Sequence, residues 1–129
     1  MASARFRRSQ RIRGDVQFER IRRQGAAAGD GVLFVRALPG GRAGTRLGLA
    51  VGRAAGPAVE RSRLRRMIRE AFRSSGAELP AGLDLLVAPR PGAGSASLAR
   101  LRGSLLALAG RVAAALKATK DGNKESDRK

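Results

Sequence analysis

Between residues 58 and 73 the chain reads AVERSRLRRMIREAFR, and no other stretch limits the fold as strongly. Leu64, Met67, Ile68, Ala71 and Phe72 stand at i, i+3, i+4, i+7 and i+8, a spacing that a helix gathers on one side. The same stretch carries six arginines against two glutamates, with Arg66, Arg69 and Arg73 on the opposite face. One side of such a helix has to be buried in a core. The other presents a row of guanidiniums to something negatively charged.

The whole chain leans the same way. Its 129 residues hold 27 Lys+Arg against 10 Asp+Glu, a formal net charge of +17. Self-repulsion on that scale weakens a compact fold unless a polyanion relieves it, and nucleic acid is the default partner. All four lysines lie after residue 116, so the cations of the main body are arginines, suited to bidentate phosphate pairing and to stacking. A GC-rich genome would also favour arginine, alanine and glycine, so the clustering says more than the total. No apolar run is long enough to span a bilayer, so no membrane partner is expected. The basic N-terminus lacks the apolar centre of a secretory signal, and the expected location is the cytoplasm. With no cysteine, disulfides and thiolate metal sites are excluded.

The length suits one domain, and a hydrophobic content of 43% allows a modest core. Residues 1–13 read as a basic arm, 14–117 as the folded domain and 118–129 as a polar, disordered tail. A short helix is expected over 15–24, with Asp15 as cap and Gly25 as stop. Strands are expected over 32–38 and 45–51, able to pair as a hairpin across Pro39, Gly40 and Gly41. The arginine helix follows over 57–75, then a strand over 83–88 and a last helix over 97–117 with Ser97 as cap. The order α-β-β-α-β-α, with room for one further short strand, argues a two-layer α/β sandwich of the α+β kind. Strand, arginine helix and strand would form a crossover, right-handed by the general rule.

Catalytic chemistry is missing from this pattern. There is no histidine or cysteine to act as base, nucleophile or soft ligand. Almost all carboxylates sit beside arginines, where pairing or solvation is the ordinary role. A carboxylate pair holding Mg2+ remains a minor alternative, and Asp84, at the start of a strand, could instead cap a turn. Neither a phosphate loop nor a dinucleotide fingerprint is present. Four phenylalanines are a poor basis for an extended stacking platform.

The arginine stretch resembles the protein component of bacterial ribonuclease P. That family carries A-V-x-R-N-R-x-K-R-x-x-R-E-x-F-R here, and Arg61, Arg63, Arg66, Arg69, Glu70, Phe72 and Arg73 match in place. Ser62 stands where the family has asparagine, and Arg65 where it has lysine. Upstream, RLGLAVGRAAGPAV is similar to R-x-G-L-x-V-S-K-K-x-G-x-A-V, with Arg53 at the first basic position and Ala54 in place of the second. RIRGDVQFERIRRQG resembles the family's first helix, with Phe18 at its aromatic position and Arg22 where an aromatic is common. GLDLLVAPRPGA resembles the strand after the arginine helix. The likeness runs from about residue 5 to about 116.

The resemblance implies a fold like the second domain of ribosomal protein S5, with a left-handed crossover around helix 57–75. It implies a large catalytic RNA as partner and removal of the 5′ leader from precursor tRNA. Hydrolysis would be carried by Mg2+ on the RNA, with no cofactor bound by the protein and no catalytic residue in it. Contact with the catalytic RNA is expected from Arg53, Arg61, Ser62, Arg63, Arg65, Arg66 and Arg69. A cleft between the first helix and the sheet, with Phe18, Arg22 and Arg36, is expected to receive the leader. Phe18 could equally be core, and Phe72 is read as core. A ribosomal or general RNA-binding protein without a cleavage role is the alternative. A DNA-binding protein and a protein-only nuclease rank below it.

Overall fold

The computed structural model describes residues 11–12 and 14–127, with side chains through residue 118. Helix α1 covers Asp15–Gln24, strands β1 and β2 cover Ala26–Gly29 and Leu33–Pro39, and β3 covers Arg46–Leu49. The arginine helix α2 spans Ala58–Ser75, β4 spans Leu83–Pro89 and α3 spans Leu98–Asp127. The four strands form one sheet in the order β1-β2-β4-β3.

Strand β4, LDLLVAP, explains that order. Its first five residues are all buried, so both of its faces need cover, and the middle of the sheet supplies it. It pairs antiparallel with β2, Val35 opposite Val87, and parallel with β3, Leu47 opposite Leu85. The hairpin expected between segments 32–38 and 45–51 therefore does not form, because β4 lies between them. The hairpin partner of β2 is β1, across a turn in which Asp30 Oδ1 accepts from the amides of Val32 at 2.8 Å and Leu33 at 2.9 Å. Strand β1 is the extra short strand. Its sequence AAAG has neither β-branched residues nor alternation to announce it.

Helices α2 and α3 pack on one face of the sheet. Leu64, Ile68 and Phe72 of α2 and Leu101, Leu105, Leu108 and Val112 of α3 join Leu33, Val35, Leu47, Leu85 and Val87 in the main core. The apolar stripe of the arginine helix is thus buried as its spacing predicts. On the opposite face α1 covers part of the sheet with a smaller cluster, Ile12, Ile21 and Leu86, flanked by Phe18, Leu38 and Ala50.

Several ends differ from expectation. Asp15 is the first residue of α1, beside the positive end of the helix, while Gly14 takes the cap position and no side chain caps it. At Gly25 an added Cβ would stand 2.5 Å from the carbonyl oxygen of Ile21, so close approach explains that glycine. Ser97 does cap α3, accepting from the Arg100 amide at 3.1 Å. The last helix continues to Asp127 through most of the segment read as a disordered tail; nothing there but Gly122 interrupts helix propagation. The end of the basic arm belongs to the fold: Arg11 bridges to Leu47, the Ile12 amide donates to the Leu47 carbonyl at 3.0 Å, and Ile12 is buried. Residues 1–10 and 13 of the arm lie outside the described residues.

Candidate RNA-binding surface

With Leu64, Ile68, Ala71 and Phe72 buried, helix geometry turns the motif arginines away from the core. They do not form one uniform row. Ser62 and Arg66 are exposed, and Arg61, Arg63, Arg65 and Arg69 are half-buried. Arg61 Nε donates to the Gly56 carbonyl at 3.2 Å, and Arg63 Nη1 to the Gly94 carbonyl at 2.5 Å. These two side chains hold the loops on either side of the helix start, a role their position in the motif does not announce. Arg53 is exposed on the short 3-10 turn Arg53–Ala55 just before α2.

Arg65 and Arg69 point another way. With Arg11, Ile12, Phe18, Leu47, Gly48 and Leu49 they line a recess of about 200 Å³ between α1, β3 and α2. Burial, then the nearby charges of Arg11 and Arg65, push the Arg69 guanidinium below its usual range. Crowded cations over an apolar floor make a site for a phosphate with an attached base or sugar. Phe18 belongs to that floor. A Cβ on Gly48 would stand 2.9 Å from the ring, so the glycine makes room for it. Phe18 is half-buried, and it serves both readings: it flanks the small core cluster and lines the recess.

Arg22 and Arg36 meet on the other side of α1. Arg36 Nη1 donates to the Arg22 carbonyl at 2.9 Å, while the exposed Arg22 side chain pairs with Glu19 at 3.8 Å. Arg36 shares a sheet face with Phe34, as strand alternation predicts, and its guanidinium carbon lies 5.0 Å from that ring centroid. Arg90 lies 5.4 Å from the same centroid. The structure therefore joins Phe18 to Arg65 and Arg69 and joins Arg22 to Arg36. Sequence reasoning missed Arg11 and Arg90. It placed Phe34 on the face of Arg36, by their two-residue spacing, without counting it among the site residues.

Asp84 is not a turn cap. It sits inside β4, buried at 1% exposure. Arg46 grips it through Nε at 2.9 Å and Nη2 at 2.7 Å, Arg42 donates at 2.9 Å, and Gln17 Nε2 donates at 2.8 Å. Burial alone would raise the carboxyl, but hydrogen bonds and charge from Arg46 and Arg42 outweigh it and hold Asp84 below the usual carboxylate range. Glu70 pairs with Arg73 and Glu78 with Arg102. Among the described residues no three His, Cys, Asp or Glu side chains are grouped as a metal site. Nor is any helix there long and apolar enough to cross a membrane.

A small basic α/β domain whose functional surface is built from arginines and an aromatic recess is the equipment of a ribonucleoprotein subunit. The family model described as Ribonuclease P matches residues 6–113. The ribonuclease P protein component of Chloroflexus aggregans is 42% identical over 85 residues, 66% of this chain and 63% of that one. The protein of the same description from Roseiflexus castenholzii is 34% identical over 120 residues, 90% of this chain and 98% of that one. The RNase P protein from Thermotoga maritima superposes with a TM-score of 0.73 at 30% identity, over 79% of this chain and 96% of that one. The chain belongs to the ribonuclease P protein family. Its role is that of protein subunit in that endoribonuclease, which makes the ribonuclease P RNA its partner and does not favour a general RNA-binding protein without a cleavage role.

Proposed function

We propose that the chain promotes removal of the 5′ leader from precursor tRNA by holding two RNA segments at once. The outer side of α2 and the turn before it, with Arg53, Ser62 and Arg66 exposed and Arg61 and Arg63 fixing the loops, contact the catalytic RNA. The recess with Phe18, Arg65 and Arg69 receives the single-stranded leader, and Arg22 and Arg36, which lie outside its lining, meet the leader beyond it. The observation that carries this reading is the convergence of Arg11, Arg65 and Arg69 on the recess that Phe18 lines. Guanidiniums there neutralise phosphates, and the ring offers a base a stacking surface.

In this reading hydrolysis belongs to the RNA, with Mg2+ held there, and the protein supplies charge and shape. A phosphate-rich complex repels itself, and a subunit with net charge +17 lowers that cost. The work belongs in the cytoplasm, where precursor tRNA is processed. Arg65 and Arg69 belong to the motif expected on the catalytic RNA; because they also line the recess, this reading gives them a share in holding the leader.

The test is reconstitution with bacterial ribonuclease P RNA at low Mg2+. Addition of the protein is expected to stimulate cleavage of precursor tRNA, more for a long leader than for a single-nucleotide leader. Phe18→Ala is expected to reduce that leader advantage while assembly with the RNA survives. No stimulation would overturn the subunit reading. A lost leader advantage with Arg66→Ala but not with Phe18→Ala would move the leader out of the recess.

A further inference from the structure

We infer that Gln17 is a positioning residue for the leader recess, acting through the buried carboxylate of Asp84. The inference rests on the recess receiving the leader.

Helix α1 forms one wall of the recess, yet it is thinly packed. Of its ten residues only Ile21 is buried, Val16 is 85% exposed, and no side chain caps its start. One buried side chain resists separation of the helix from the sheet but does little against roll or slide. Two polar ties supply what packing lacks. Near the end of the helix the Arg22 carbonyl accepts from Arg36 at 2.9 Å, and near its start Gln17 donates to Asp84 at 2.8 Å.

The acceptor is unusually well fixed. Asp84 lies on the central strand, and both its oxygens are held by guanidiniums, Oδ1 by Arg42 and Arg46 and Oδ2 by Arg46. Arg46 stands on β3 two residues before Gly48 and on the same sheet face, and it is Gly48 that lies beneath the Phe18 ring. One buried carboxylate therefore ties down both sides of the recess: β3 through Arg46, and α1 through Gln17. Gln17 directly precedes Phe18. Its direction toward Asp84 sets the roll of the first turn, and with it the seat of the ring over Gly48. Losing the tie frees α1 to move while Arg42 and Arg46 keep Asp84 paired.

The experiment uses the holoenzyme reconstituted with ribonuclease P RNA. Gln17→Met keeps side-chain length and packing but donates no hydrogen bond, and Gln17→Ala removes both. Cleavage of precursor tRNA with a long leader is compared with cleavage of a single-nucleotide leader, with KM and kcat measured separately, alongside the melting temperature and the affinity for the RNA. Both variants are expected to lower the long-leader advantage on the order of five- to tenfold through KM, because misplacement of a binding group by a fraction of an ångström is costly. Melting temperature and RNA affinity should stay near wild type. Gln17→Glu, which sets carboxylate against carboxylate, should lose more of the advantage. A wild-type advantage retained by Gln17→Met overturns the inference and leaves packing as the role of this position. A fall in melting temperature with the advantage intact overturns it too. If the wild type shows no leader advantage, the leader reading fails first and takes the inference with it. If Phe18→Ala loses the advantage and Gln17→Met does not, the inference alone fails.

Discussion

Phe18 occupies the space that a side chain at position 48 would need: a Cβ added to Gly48 would stand 2.9 Å from Cε1 and 3.0 Å from Cζ of the ring. The nearest atoms are the far end of a half-buried side chain, which can swing aside. Gly48→Ala should therefore cost little stability, about 1 kcal/mol, at the low end for an overpacked site. It should displace the ring from the recess and reduce the preference for a long leader. Thermal unfolding and paired cleavage assays check the two halves. A large fall in melting temperature would show that the ring has nowhere else to go.

The two faces of α2 predict opposite phenotypes. Phe72 is 3% exposed in the main core, and Phe72→Ala should destabilise the fold by about 3–5 kcal/mol. Arg66 is exposed, so Arg66→Ala should stay within about 0.5 kcal/mol of wild type and weaken RNA binding. Denaturant unfolding and RNA titration of both variants check this.

Arg63 should behave differently from Arg66, although both stand in the same motif. Its guanidinium donates to the Gly94 carbonyl, so Arg63→Ala removes a loop tether as well as a charge. A stability loss of about 1.5 kcal/mol is expected, the lower end for a charge-assisted hydrogen bond at a half-exposed site. RNA affinity should fall too, and higher protein concentration should recover activity. A variant as stable as wild type would show that the tether contributes nothing.

The legible parts of the structure were local. The stripe of α2 spans several turns, and its buried positions emerged where the spacing put them. The cap at Ser97 and the pairing of Phe34 with Arg36 on one face follow from intervals of three and two residues. What stayed hidden is long-range or lacks a side-chain signal. AAAG has no pattern that says strand, and adjacency of β2 to β4 rather than to β3 depends on which segment needs cover on both faces. Asp84 read as a turn residue because its partners, Arg46, Arg42 and Gln17, lie 38, 42 and 67 residues away. The recess was half legible. Phe18 is visible on its own helix, but that Arg65 and Arg69 face it depends on how α2 crosses the sheet.

Asp84 also sets a pH dependence. Its carboxyl is held below the ordinary range in the fold, so the unfolded chain takes up its proton first as pH falls. The stabilisation is complete above the unfolded value near 3.8 and is lost as pH falls through the lower folded value. Melting temperature should therefore fall below about pH 4, and Asp84→Asn should flatten that fall while lowering stability at neutral pH. Thermal melts from pH 7 to pH 2.5 check it; an unchanged acid limb in the variant would place the titrating group elsewhere, with Asp30 next in line.

Salt separates the arginines that meet phosphate from those that hold loops. Each phosphate neutralised releases condensed counterions, so the logarithm of the binding constant falls with the logarithm of salt, by about 0.7–0.9 for each contact. Arg66 is exposed and makes no ion pair among the described residues, so a phosphate partner would be its main contact. Arg66→Ala should lower the affinity for ribonuclease P RNA and reduce the salt slope by about one contact. Arg73 is already bound to Glu70 on the same helix, and its charge is largely spent there. Arg73→Ala should leave the slope nearly unchanged. Titrations at several salt concentrations, with wild type and both variants, measure the difference. Equal slopes for all three would mean that the exposed guanidinium of Arg66 meets no phosphate, and the interface on α2 would have to be redrawn around Arg53, Ser62 and the recess.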